Sequence, residues 1–179
     1  MLTWLGQSGF LLESGGVRLA IDPYLSDSLA PRGFERTIPP PISSDDLRAD
    51  FIVCTHDHGD HFDPDTILPA LQVRPDTCVI GPASVVRHGE VLGLPVTELS
   101  AKSPPLECGP FTLRAVPAHH SDPAAIGLRI DCENYSIHHT GDTTTTDDLA
   151  ARALNFGPVD LLLVCINGRL GNMSATEAA

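Results

Sequence analysis

Three imidazoles and the Asp60 carboxylate stand together in His56-Asp57-His58-Gly59-Asp60-His61, directly after the apolar run Phe51-Ile52-Val53-Cys54-Thr55. Neutral imidazole and carboxylate are the usual protein donors for zinc and neighbouring divalent metals. In a loop, the H-x-H-x-D-H order lets such side chains fan out around one or two ions, which a straight strand would prevent. The bland alternative is a polar surface turn that happens to be rich in histidine; the order and density of donors weigh against it. Two further pairs, His119-His120 and His138-His139, the latter followed by Asp142, bring seven of the eight histidines into three clusters. Each cluster follows a predicted strand, and loops at strand ends are where layered α/β folds build their sites. His88 stands apart on a predicted helix and reads as a surface residue.

The elements that must position these clusters alternate. Strands are expected at 2–5, 9–12 and 17–21, with Gly15-Gly16 turning the chain between the last two. Trp4 reads as core, and Asp22-Pro23 ends the third strand. Residues 24–42, closing on Pro39-Pro40-Pro41, read as an ordered surface loop. Ser43-Ser44-Asp45-Asp46 has the composition of a helix start and predicts a short helix to Ala49. Strand 51–55 then delivers the His cluster. Asp63-Pro64-Asp65 caps a helix through about Gln72; a strand at 77–80, a helix at 83–92 stopped by Gly93, and a strand at 96–99 follow. A turn-rich link at 103–110 leads to strand 111–116, then to a hairpin of 126–131 and 135–138. A helix is expected from the Thr143–Thr146 run to Gly157-Pro158. The apolar run Val159 to Ile166 predicts a strand buried on both faces, and Ser174 to Ala178 the start of a helix. No repeat or domain-scale linker is visible, so the class is α/β in one domain.

Whole-chain properties narrow the function classes. The 179 residues are 42% hydrophobic, a globular balance, and no apolar run is long enough to span a membrane. The start, Met1 to Gly6, has no basic region followed by an apolar stretch, so no secretory signal is read there. The five cysteines are scattered and sit mostly in strand-like apolar runs, as small buried hydrophobes in a reducing compartment do. A cytoplasmic address is expected. A net charge of −12, with Lys102 as the single lysine, disfavours extended nucleic acid as a partner. A small anionic substrate stays compatible where metals and a local arginine supply positive charge.

His56-x-His58-x-Asp60-His61, a later strand-end histidine and Gly141-Asp142-Thr143 together resemble the metallo-β-lactamase superfamily. Thr3 to Phe10, Ile21 to Ser28, the Pro39–Ile42 stretch, and Ile166-Asn167-Gly168-Arg169 with Asn172-Met173 resemble the branch that contains L-ascorbate-6-phosphate lactonase. The resemblance implies an αββα sandwich, α/β or α+β by different schemes. It also implies a dinuclear centre of two divalent ions, with zinc, manganese and iron all suited. By that resemblance His56, His58 and the strand-end histidine bind the first ion, Asp60 and His61 the second, and Asp142 bridges. Asp60 additionally takes or orients the proton of the attacking water. Residue spacing leaves His119 and His120 open as the third histidine; the resemblance favours His120. Asp142 has a second reading, because Gly-Asp-Thr-Thr is also a helix start. His139 is either a support for Asp142 or an ordinary strand-end residue. Arg169 can grip a substrate anion with a planar fork, and Asn167 can donate to a carbonyl or simply turn the chain. Gln7 either faces the site or satisfies its own turn.

One departure stands out. Members of the family continue through a further helix and strand to a final histidine of the second metal site, so the domain is expected to be C-terminally incomplete at Ala179. The leading expectation is a metal-dependent hydrolase using metal-bound hydroxide to open a lactone or related ester. A small-substrate phosphodiesterase is the alternative on the same site, and a truncated, non-catalytic metal-binding domain is the alternative of another class. A homo-oligomer is compatible with any of them.

Overall fold

The computed structural model describes residues 1–147 and 157–179. The chain divides into two compact units, Met1–Glu98 and Leu99–Ala179, and each carries one sheet. Mixed strands and helices in two sheets are the α/β class expected.

In the first unit, β1 (Leu2–Gly6), β2 (Gly9–Ser14) and β3 (Val17–Ile21) form an antiparallel meander. The Gly15-Gly16 turn has both φ angles positive, 56° and 79°, the geometry a tight two-residue hairpin demands. Three parallel strands follow, β4 (Phe51–Val53), β5 (Cys78–Gly81) and β6 (Val96–Glu98), in the order β1 to β6. Parallel neighbours need a crossover. Helices α1 (Pro64–Val73) and α2 (Ala83–Leu92) supply it between β4 and β5 and between β5 and β6. The hydrophobic core beneath them includes Leu5, Leu11, Leu47, Ile52, Phe62 and Ile67. Register decides what happens at the strand ends. Ile21 pairs with Val53, and Val53 with Ile80. Asp22 and Cys54-Thr55 therefore leave adjacent strands at the same level.

Helix α1 starts on Asp63, whose carboxylate accepts from the Asp65 amide, with Pro64 in the first turn. That carboxylate also accepts from Ser26 Oγ (2.7 Å), Ser28 Oγ (3.0 Å) and Thr66 Oγ1 (2.5 Å). The loop after β3 is thereby tied to the helix. Helix α2 ends on Gly93 at φ 68°. At Gly89 an added Cβ would lie 2.6 Å from Val96 Cγ2 and 2.8 Å from Leu94 O, so only glycine lets α2 sit this close to β6.

In the second unit β7 (Leu106–Cys108), β8 (Phe111–Pro117), β9 (Ile126–Cys132) and β10 (Tyr135–His139) run antiparallel, and β11 (Leu161–Leu163) adds to β10 in parallel. A single turn of helix, α3 (Ala175–Ala178), starts on a capping box of Ser174 and Glu177.

Four expectations are corrected. Residues 43–49 form a turn, Asp46 N to Ser43 O and Leu47 N to Ser44 O, instead of a helix. Arg48 takes φ 42° there, which sends Leu47 and Ala49 inward, both buried, where a helix would carry them on. The strand in Val159–Ile166 spans only Leu161–Leu163 and lies at the sheet edge, with Leu162 47% exposed. An apolar run cannot by itself tell a central strand from an edge. Trp4 is 51% exposed on the edge strand β1, its indole donating to Gln7 O at 2.9 Å. His88, read as an ordinary surface side chain, is hydrogen-bonded to Asp57. The helix expected between Thr143 and Gly157 falls largely on 148–156, outside the described residues; 143–146 are irregular. None of the five cysteines is joined in a disulfide. No helix among the described residues is long and apolar enough to cross a membrane.

Candidate metal centre

The first unit gathers His56, His58, Asp60 and His61 in the loop after β4. The chain turns back immediately, with His61 N and Phe62 N both donating to His58 O. His56 and His61 are fully buried, their ring centroids 3.9 Å apart, and His56 Nε2 is 3.0 Å from His58 Nδ1. Asp60 Oδ1 lies 3.8 Å from His61 Nε2.

What holds these rings is Asp22, fully buried at φ 43°. Its Oδ1 accepts from Thr55 N (2.7 Å), and its Oδ2 from Thr55 Oγ1 (2.7 Å) and His61 Nδ1 (2.8 Å). Because Asp22 takes the hydroxyl proton of Thr55, Thr55 Oγ1 is left as acceptor for His56 Nδ1 at 3.1 Å. The network therefore assigns the Nδ1–H tautomer to both histidines, which makes Nε2 the electron-pair donor of each ring. A carboxylate behind an imidazole is how proteins fix and strengthen a metal-binding histidine. His56 Nε2 then faces His58 Nδ1 and His61 Nε2 faces Asp60, a gathering of nitrogen and carboxylate donors that a cation would favour. The donor set and its supports fit a divalent ion.

The second unit carries a donor group of its own. His120 Nε2 lies 3.9 Å from Asp142 Oδ2, and the His120 side chain is 1% exposed. Its Nδ1 faces Gly171 O at 3.4 Å, so the ring again turns Nε2 toward the carboxylate. Asn172 Nδ2 donates to Asp142 Oδ2 at 2.8 Å, while its own buried Oδ1 has no hydrogen bond among the described residues. Gly171 has φ 83°, and a Cβ there would meet His120 Nδ1 at 3.3 Å, so this position requires glycine on both counts. His119 is exposed; its backbone anchors the loop through Thr143 Oγ1 and Thr144 N. Of the two candidates left open by spacing, His120 is the one brought to Asp142. His139 is buried and its Nδ1 accepts from Gly141 N at 3.1 Å, shaping the turn that presents Asp142. Burial, then His139 and Arg129, pull the His138 pKa below its ordinary value. An open cleft of about 570 Å³ beside His120 is lined by His119, Ser121, Pro123 and Thr144.

Asn167 and Arg169 lie on the exposed loop after β11. Asn167 Oδ1 accepts from Arg169 N at 3.2 Å, which is the chain-turning alternative for that side chain, and Arg169 O accepts from Asn172 N. Gln7 sits at φ 51° with its carbonyl capped by Trp4, serving the β1–β2 turn. Cys54 is not a ligand in waiting: burial first, then the carboxylates of Asp22, Asp57 and Asp63, raise its thiol well above the ordinary range.

In the sequence Asp22 is marked only as a strand terminator and Thr55 only as the end of a strand. The signal that finds Asp22 is the same strand-end rule that singled out the histidines, applied to β3. Asn172 and Gly171 carry no such signal, because their roles depend on a loop folding back over His120.

The whole chain, residues 1–179, matches the model of the beta-lactamase superfamily domain, and it belongs to that family. A protein of Carboxydothermus hydrogenoformans described as a metal-dependent hydrolase is 28% identical across 93% of this chain and 72% of its own length. An uncharacterized protein of Mycobacterium bovis is 29% identical across 92% of this chain and 48% of its own length, so this chain spans about half of that relative. Among solved structures, a metallo hydrolase of Ignicoccus hospitalis superposes with a TM-score of 0.73 over 99% of this chain and 74% of the other. At 21% identity that likeness speaks for the fold alone.

Proposed function

We propose that this superfamily member is a metal-dependent hydrolase holding two divalent ions, zinc or manganese, with iron also suited. Its reaction is the opening of a lactone or related ester in a small, anionic substrate. His56, His58 and His120 would hold the first ion and Asp60 and His61 the second, with Asp142 shared between them. The observation that carries the reading is the buried Asp22 carboxylate, which fixes His61 directly and His56 through Thr55, so that Nε2 carries the lone pair in each ring. The relative from Carboxydothermus hydrogenoformans, described as a metal-dependent hydrolase, lends further support. Ions bound there would acidify a water and polarise the acyl oxygen.

The rest falls to the chain's own groups. Asp60, 37% exposed at its side chain and beside His61, would receive and hand on a proton. Asn172 takes one lone pair of Asp142 Oδ2 and so restricts how that carboxylate turns. His119, Ser121 and Thr144 line the cleft with polar groups that suit a hydroxylated substrate. Arg169 supplies the cation for the substrate's anionic group on an otherwise acidic surface. Cysteines held as thiols support a cytoplasmic address.

The experiment loads purified protein with zinc or manganese, measures bound metal, and then compares turnover of a sugar lactone with that of an aryl phosphodiester. Stoichiometric metal and lactone opening, both lost in His56→Ala, are expected. Protein that retains neither ion overturns the reading, and turnover of the phosphodiester alone moves it to that substrate class.

A further inference from the structure

Helix α2 touches the ligand loop at both of its ends through one side chain. His88 Nδ1 lies 2.5 Å from Asp57 Oδ1, and the His88 ring meets the Phe62 ring edge-on with centroids 4.9 Å apart. Asp57 sits between His56 and His58, and Phe62 directly follows His61. A single imidazole thus spans the loop from its first ligands to its last. The helix that presents it cannot drift, because Gly89, the next residue, lets α2 pack directly on β6. On its inner side the loop is held by Asp22 and Thr55. Among the contacts described on its outer side, His88 is the side chain that reaches both ends.

We propose that His88 is a positioning residue for the metal centre. It clamps Asp57 and Phe62 so that His56 and His58 keep their spacing from Asp60 and His61. The inference rests on the reading of that loop as a metal site. Its physical basis is that ligand spacing must be held closely for two ions to share one cluster. Gly59 packs its backbone against Leu29, where an added Cβ would lie 2.9 Å from Leu29 Cδ2; His88 braces the residues flanking the ligands.

The test separates the hydrogen bond from the ring. His88→Phe keeps a planar ring against Phe62 and loses the bond to Asp57. His88→Asn keeps a donor near the position of Nδ1 and loses the ring. Zinc affinity is measured on the full chain by competition with a chromogenic chelator, alongside thermal melting of the metal-free protein and the visible spectrum of the cobalt-loaded form. Affinity about tenfold weaker in His88→Phe, with an altered cobalt spectrum, unchanged metal-free melting and substantial recovery in His88→Asn, is the expected pattern. Wild-type affinity and spectrum in His88→Phe overturn the clamp and leave the metal reading standing. An affinity loss matched by an equal loss of metal-free stability in both variants shows a merely structural contact and also overturns it. A wild-type chain that binds no zinc or cobalt removes the metal reading itself, a distinct result.

Discussion

Replacing Asp22 by Asn tests the support of the histidines with almost no change of shape. Both residues tolerate the left-handed backbone at φ 43°, so the substitution adds no strain there. The amide oxygen can keep the bond from Thr55 N, but the amide nitrogen then faces the His61 Nδ1 proton and the Thr55 hydroxyl. Thr55 can rotate. His61 can avoid a donor–donor clash only by moving its proton to Nε2, the nitrogen proposed to bind metal. Each charge-assisted bond of this kind contributes about 1.5–3 kcal/mol, and losing a carboxylate behind a metal-binding histidine lowers affinity by about 10- to 100-fold, or ~1.4–2.7 kcal/mol. Asp22→Ala removes the acceptor altogether, leaves buried donors unpaired, and should cost about 3–5 kcal/mol of folding stability. Zinc competition titrations and urea unfolding of both variants are the assays. Asn in place of Asp22 should fold well and bind zinc weakly; zinc affinity equal to wild type would refute the assignment of tautomers on which the site is built.

Other expectations follow from single contacts. Asp63→Ala deletes the cap of α1 and the shared acceptor for Ser26, Ser28 and Thr66; denaturant unfolding should show a loss of about 2–4 kcal/mol, a cap contributing ~1 and each further bond a comparable amount. Gly171→Ala forces a Cβ toward His120 at positive φ, so metal affinity should fall while the first unit's histidines are untouched; unchanged affinity would mean that His120 does not ligate. His138 binds its proton less readily folded than unfolded, through burial first. Its contribution is therefore intact above the ordinary histidine pKa of about 6.5 and is lost as pH falls from there through the lower folded value. His138→Gln should flatten that part of the stability profile measured by thermal melting between pH 7 and 5.

The chain's own residues announced the chemistry before any fold was known. The H-x-H-x-D-H order, the second strand-end histidine pair and Gly141-Asp142 are local signals, since donor type and loop position are both written in consecutive residues. The alternation of strands and helices was equally legible from apolar runs and caps such as Asp63 and Gly93. Burial was less so. The run from Val159 to Ile166 reads the same at an edge as in the middle of a sheet, and Trp4 is as apolar on an exposed edge strand as in a core.

The loop His56–His61 by itself specified which atoms can bind metal and that they lie near one another in sequence. Tertiary structure alone decided how they are held. Asp22 reaches His61 because β3 and β4 are in parallel register, His88 reaches Asp57 because Gly89 lets α2 sit on β6, and His120 rather than His119 meets Asp142 because a loop bearing Gly171 and Asn172 folds over it. Ligand identity is a property of side-chain chemistry, which consecutive residues carry. Tautomer, orientation and spacing arise from contacts between residues far apart in the chain, and only the packed backbone brings those together.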